Sequence, residues 1–159
     1  MINRILTSAL LLIIVAGAVH AADKIKSPNQ ILDGKAAASS GGAAHFYNGQ
    51  GSYAGRTDAS GQSIRTYDGR GAYDGRIDRS KNSANFYDGK GAYAGRASSS
   101  GQGTSFYDSK GAFAGRSTTS GDTTTYYDRN GAVAGRATTS GNSTSFYDAQ
   151  GQYVGRKAR

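Results

Sequence analysis

The sequence predicts an all-β chain built as an array of antiparallel β-hairpins, and three observations carry that expectation. Tyrosine recurs at Tyr47, Tyr67, Tyr87, Tyr107, Tyr127 and Tyr147, each followed by a glycine four residues on and a Gly-Arg pair eight and nine residues on. A period of twenty residues held without a slip marks a repeat architecture before any residue-level reading. Within each period two segments rich in Thr, Ser and aromatic residues alternate with two sets of turn residues, the grammar of strand, turn, strand, turn. The density of Gly, Ser and Thr leaves no sustained apolar stripe of helical spacing.

At the start, Met1 to Arg4 is short and positively charged, and Ile5 to Val19 is apolar apart from Thr7 and Ser8. This reads as a secretory signal peptide, helical while intact, with cleavage between Ala21 and Ala22. The apolar run is shorter than the roughly 20 residues of a spanning helix, so no stable membrane span is expected after cleavage. The mature chain is expected to be periplasmic or extracellular.

Residues 22–44 form a polar, Ala/Gly/Ser-rich stretch holding the one proline, Pro28. It reads as a flexible arm. Gly34 to Gly41 echoes Gly95 to Gly101 with one residue added, as a degenerate half-repeat serving as a cap would. Residues 45–159 then hold six twenty-residue repeats.

The fifth repeat shows the local logic. Thr123 to Tyr127 has strand composition. Asp128-Arg129-Asn130-Gly131 has Asp first and Gly fourth, as a type I turn prefers. Ala132 to Thr139 is the second strand, and Ser140-Gly141-Asn142 a turn whose first central residue needs positive φ. Simple pairing across these turns sets Tyr126 opposite Val133 and Ala137 opposite Phe146. Tyr127 and Arg136 then share the other face with Thr138 and Tyr147, where Arg can lie on a Tyr ring.

Repeats of this kind stack either as rungs of a solenoid or as a meander. The arginine column Arg56, Arg76, Arg96, Arg116, Arg136 and Arg156 favours the meander. There, matching guanidinium groups lie two strands apart, about 10 Å, beyond a Debye length of about 8 Å. The aliphatic supply is small: within the repeats it is Ile64, Ile77, Val133 and Val154 besides alanine. Neither face therefore stands out as a core, and the isolated array is predicted to be marginal unless a second surface, a second copy or a polymer completes it.

The Tyr-Asp-x-x-Gly string with its following Gly-Arg, seen at Tyr107-Asp108 with Gly111, Tyr127-Asp128 with Gly131 and Tyr147-Asp148 with Gly151, resembles the YD repeat of the Rhs and teneurin families. The likeness runs over residues 46–156. It implies an antiparallel hairpin array in a family associated with carbohydrate binding and with shells around toxin domains. Six units are too few to wind such a shell, Asn48 stands where the other repeats have Asp, and Thr66 replaces the aromatic residue before Tyr67.

Composition narrows the chemistry. The chain has no cysteine, its eleven acids are all Asp, and once Arg4 leaves with the signal, eighteen basic residues against eleven acids give the mature chain +7. Such a balance favours anionic polymers, or simply keeps the protein soluble. Beyond the signal the only histidine is His45, placed at the edge of the first strand, and it reads as a surface residue rather than a base. Each Asp-containing loop offers essentially one acid, so Asp reads as a turn former and not as a calcium ligand. Gly-x-Gly pieces such as Gly69-Arg70-Gly71 precede no helix and are not phosphate loops. No enzyme activity, metal or cofactor is expected.

The aromatic and arginine columns are the candidate contact surface: Tyr47, Tyr67, Tyr87, Tyr107, Tyr127, Tyr147 and the six arginines. They predict a binding or surface-interaction module at the bacterial envelope with polysaccharide as ligand. Export argues against nucleic acid, although aromatic and basic residues can also bind it. The alternative is a self-assembling subunit of an extracellular fibre or matrix, pairing through exposed terminal strands.

Overall fold

In the computed structural model, residues 42–159 apart from Gln102 are described. The expected signal segment with Ala21 and Ala22, and the expected arm up to residue 41 with its half-repeat, lie outside them. Twelve strands follow one another: β1 (Ala43–Asn48), β2 (Tyr53–Ser60), β3 (Ser63–Asp68), β4 (Tyr73–Arg79), β5 (Ser83–Asp88), β6 (Tyr93–Ser100), β7 (Gly103–Asp108), β8 (Phe113–Ser120), β9 (Thr123–Asp128), β10 (Val133–Ser140), β11 (Ser143–Asp148) and β12 (Tyr153–Ala158). No helix occurs among the described residues. Each strand pairs antiparallel with its neighbours in sequence, and β1 pairs with β12, so the meander closes into a barrel. The meander, and not the solenoid, is the stacking adopted.

The turns form as their residues dictate. In the Asp-x-x-Gly loops Gly131 N–H donates to Asp128 O at 3.1 Å and Asp128 N–H to Ala132 O at 2.9 Å, with Gly131 at φ 84°. That is a type I turn closed by a left-handed glycine. The Asp128 carboxylate also accepts from the N–H groups of Asn130 (2.8 Å) and Ala132 (2.9 Å). Asn48 accepts the corresponding bonds from Gln50 and Ser52 with its Oδ1, so its departure from Asp costs the turn nothing. At the opposite rim Gly61, Gly101, Gly121 and Gly141 have φ of 55–59°, as the two-residue turns require.

The pairing differs from simple registration at one place per repeat. Tyr126 faces Gly135, and Tyr127 faces Val133, because the residue between them, Ala134, bulges out of the ladder. Ala137 faces Phe146 as expected. The bulge recurs at every Asp-x-x-Gly hairpin, and it explains the glycine of the Gly-Arg pair. Gly95 sits at φ 146°, and a Cβ built there would lie 2.4 Å from the Tyr107 carbonyl oxygen. Only glycine tolerates both conditions.

Alternation beyond the bulge divides the residues into an inner and an outer set. Phe46, Thr66, Phe86, Phe106, Tyr126 and Phe146 form one inward tier, each paired with the glycine of the following strand. Thr57, Ile77, Ala97, Ser117 and Ala137 form the next, and Ile64, Ala84, Thr124 and Thr144 lie beyond it. All are 0–8 % exposed. One face is thus a core after all, and closure of the sheet on itself supplies the second surface that composition alone left open. Thr66 breaks the aromatic tier, but the two isoleucines Ile64 and Ile77 are paired beside it, returning apolar bulk to the same hairpin.

Two expectations follow for urea denaturation. Gly95→Ala should cost roughly 3 kcal/mol or more, combining an unfavourable φ with a backbone clash, whereas Gly61→Ala, with open space around its Cβ position, should cost about 1–2 kcal/mol. Equal losses at the two sites would contradict the bulge geometry. Thr66→Val should raise stability by about 1 kcal/mol, because the buried Thr66 Oγ1 has no hydrogen-bond partner and a methyl group removes that penalty.

Candidate functional site

The outer wall carries the aromatic and basic columns. The outward registers are fixed by the same alternation: Arg56 faces Tyr67, Arg76 faces Tyr87, Arg96 faces Tyr107, Arg116 faces Tyr127 and Arg136 faces Tyr147. Across the closing seam Arg156 faces Tyr47. Each arginine therefore meets the tyrosine of the next repeat and not of its own, and the last meets the first.

Guanidinium carbons lie over the ring centroids at 4.2 Å for Arg56 and Tyr67, 4.6 Å for Arg76 and Tyr87, 4.4 Å for Arg96 and Tyr107, and 4.3 Å for Arg116 and Tyr127. The seam pair, Arg156 and Tyr47, repeats this at 4.8 Å. These are cation–π distances.

The other side of each tyrosine meets a further ring. Tyr47 with Tyr53, Tyr67 with Tyr73, Tyr87 with Tyr93, Tyr107 with Phe113 and Tyr147 with Tyr153 pack edge to face, with centroids 6.0–6.1 Å apart. In the fifth repeat Val133 takes the ring's place. The result is a belt of Arg, Tyr and aromatic triplets running around the barrel near the Asp-x-x-Gly rim.

The six sequence-predicted tyrosines are half-buried between these two neighbours. The residues with open faces are Tyr53, Tyr73, Tyr93, Phe113 and Tyr153, 42–45 % exposed. Sequence reasoning passed over them, although they too recur at the twenty-residue period, six positions after each tyrosine first singled out. The tyrosines before Asp drew notice because Tyr-Asp is the louder motif.

Charge is balanced locally where the repeat departs from consensus. Arg65 stands opposite Arg76 and also opposite Asp58. Arg76 meets Asp78 at 3.0 Å and Arg56 meets Asp58 at 3.2 Å. The hydrogen bond that Arg56 Nε–H donates to the Asp58 carboxylate raises the pKa of Arg56 above its ordinary value. Both pairs are well exposed, so they contribute little to stability. His45, half-buried within β1, has its ring 6.1 Å from that of Tyr53 and belongs to the belt's edge.

Apart from the aromatic belt, the outward face carries arginine, serine, threonine and aspartate over strands of 6–8 residues, unlike a lipid-facing barrel wall. Such a wall is apolar outside and needs about 9–11 residues per strand. Among the described residues no group of three or more metal-ligating side chains converges. No protein-family model and no curated protein matches the chain. A Tyr-rich array of antiparallel hairpins is what the structure shares with the YD-repeat description.

Proposed function

We propose that the chain is an exported, non-enzymatic module that binds polysaccharide at the bacterial envelope, with the outer belt as its contact surface. The observation that carries this reading is the row of open aromatic faces at Tyr53, Tyr73, Tyr93, Phe113 and Tyr153, each packed on a tyrosine that is paired with an arginine. Apolar faces of sugar rings stack on such side chains, and the adjoining guanidinium groups donate to hydroxyl or carboxylate oxygens. The half-buried tyrosines of the belt, paired with the arginines, serve to fix the spacing of the open rings. A contact surface repeated around a barrel suits a polymer, whose affinity grows by engaging several equal weak sites.

The fibre reading loses one of its supports. It relied on unprotected terminal strands, and β1 and β12 are paired with each other. Assembly would then have to proceed through the outer wall, where arginine and aspartate act as charged gatekeepers.

Co-sedimentation of the purified mature protein with isolated cell-wall polysaccharide, at low and physiological salt and beside a tube without polysaccharide, tests the proposal. Pelleting is expected only with polysaccharide. The triple variant Tyr53→Ser, Tyr73→Ser and Tyr93→Ser should weaken it at least about tenfold, on the basis of about 0.5–1.5 kcal/mol per lost aromatic contact, while its circular dichroism remains that of a folded β protein. Val133→Tyr, which completes the belt, should strengthen it. Undiminished binding by the triple variant would exclude the belt as the contact surface, and pelleting in the empty tube would favour self-assembly.

A further inference from the structure

One hairpin at the rim opposite the belt breaks the repeat. The turn between β4 and β5 has Lys81 where the equivalent turns have Gly61, Gly101, Gly121 and Gly141, and Arg79 ends β4 where the others have Ala59, Ser99, Thr119 and Thr139. In three of those hairpins the position is self-satisfied: Ser99 bonds Thr104 at 3.0 Å, Thr119 bonds Thr124 at 3.0 Å and Thr139 bonds Thr144 at 3.1 Å. Arg79 instead faces Ala84, whose side chain has no acceptor. Its Nε is buried and has no hydrogen-bond acceptor among the described residues.

Arg79 is one of seven residues that line a pocket of about 310 Å³, with Gln62, Ser80, Lys81, Asn82, Ser83 and Ser99. The volume lies at the lower end of the roughly 300–1,000 Å³ of small-molecule sites. Backbone bonds lace its walls together: Arg79 N–H donates to Gln62 O at 2.8 Å, Ser80 N–H to Ser83 O at 2.7 Å, and Ser99 N–H to Asn82 O at 2.8 Å. The lining holds two cations, two amides and three hydroxyls, and no carboxylate. The nearby acid on β4, Asp78, is engaged on the outer face by Arg76 and Ser63.

The geometry points to an oxyanion site: Arg79 and Lys81 receive a carboxylate or sulfate group, and the amides and hydroxyls around them hold the neutral part of the ligand. A buried guanidinium N–H is costly unless an acceptor meets it, and a charged acceptor meets it best. The site stands apart from the belt and does not depend on it.

The repeat itself supplies a variant that should fold. Arg79→Ser with Lys81→Gly restores the residues found in the sixth strand and its turn. Nitrogen-15 NMR of the full mature chain, titrated separately with glucuronate, sulfate and glucose, should show saturable shifts of the Arg79 Nε–H and the backbone amides of residues 80–83 with an anion and none with glucose. Response to glucuronate alone identifies a sugar acid, and response to sulfate as well identifies a general oxyanion site. The double variant should keep or raise the melting temperature and lose binding at least about tenfold, while Lys90→Ser with Lys110→Ser, which removes two charges elsewhere, should bind as the parent does. The inference is overturned if neither anion gives saturable shifts, if glucose binds equally, or if both double variants lose affinity alike.

Discussion

The pairing of β12 with β1 is the contact on which the rest of the molecule depends. It sets Gly155, Arg156, Lys157 and Ala158 against Asn48, Tyr47, Phe46 and His45. Gly95, Arg96, Ala97 and Ser98 meet Asp108, Tyr107, Phe106 and Ser105 in the same order inside the array. The seam is therefore not a special joint but one more copy of the repeat's own junction. A sheet of marginal aliphatic content gains a core by this closure, since only a sheet curved onto itself removes the inward phenylalanines from water on every side. Among the described strands it also leaves no edge exposed for pairing with another chain.

Closure divides the labour of each Gly-Arg pair. The glycine lies inward, crowded against the tyrosine carbonyl of the next strand, and on its other side it leaves room for an aromatic ring. The arginine, one residue later, lies outward over a tyrosine. Substituting either residue type for the other would break both arrangements, which is why the dipeptide recurs intact in all six repeats. The arginine column avoids self-repulsion because matching members are separated by an intervening strand that presents a tyrosine face between them.

Much of this was legible in the sequence. The period, both turn types, the approximate strand limits and the placing of arginine on tyrosine all follow from residues whose preferences are local. What was not legible is non-local. The bulge at Ala134 moves Val133 from Tyr126 to Tyr127, and an inserted residue leaves no mark in composition beyond the glycine after it. The choice of core face was hidden because both faces carry aromatics, and only closure ranks them, burying Phe146 while leaving Tyr153 open. For the same reason the open ring of each triplet could not be told from the covered one.

In so regular an array, departures from the repeat carry more information than the repeat does, and they fall into separable physical kinds. Asn48 preserves every hydrogen bond of the Asp it replaces, so the change is neutral. Thr66 leaves a hydroxyl unsatisfied, but Ile64 and Ile77 restore the lost apolar volume beside it, so the fold accounts for that hairpin without appeal to a ligand. Arg79 and Lys81 are different: they add two charges, discard a turn glycine and leave a buried donor opposite an alanine, and among the described residues no carboxylate pairs with either. A change that costs the fold and returns nothing to it within the hairpin is the kind expected where a binding partner, rather than packing, supplies the missing interaction.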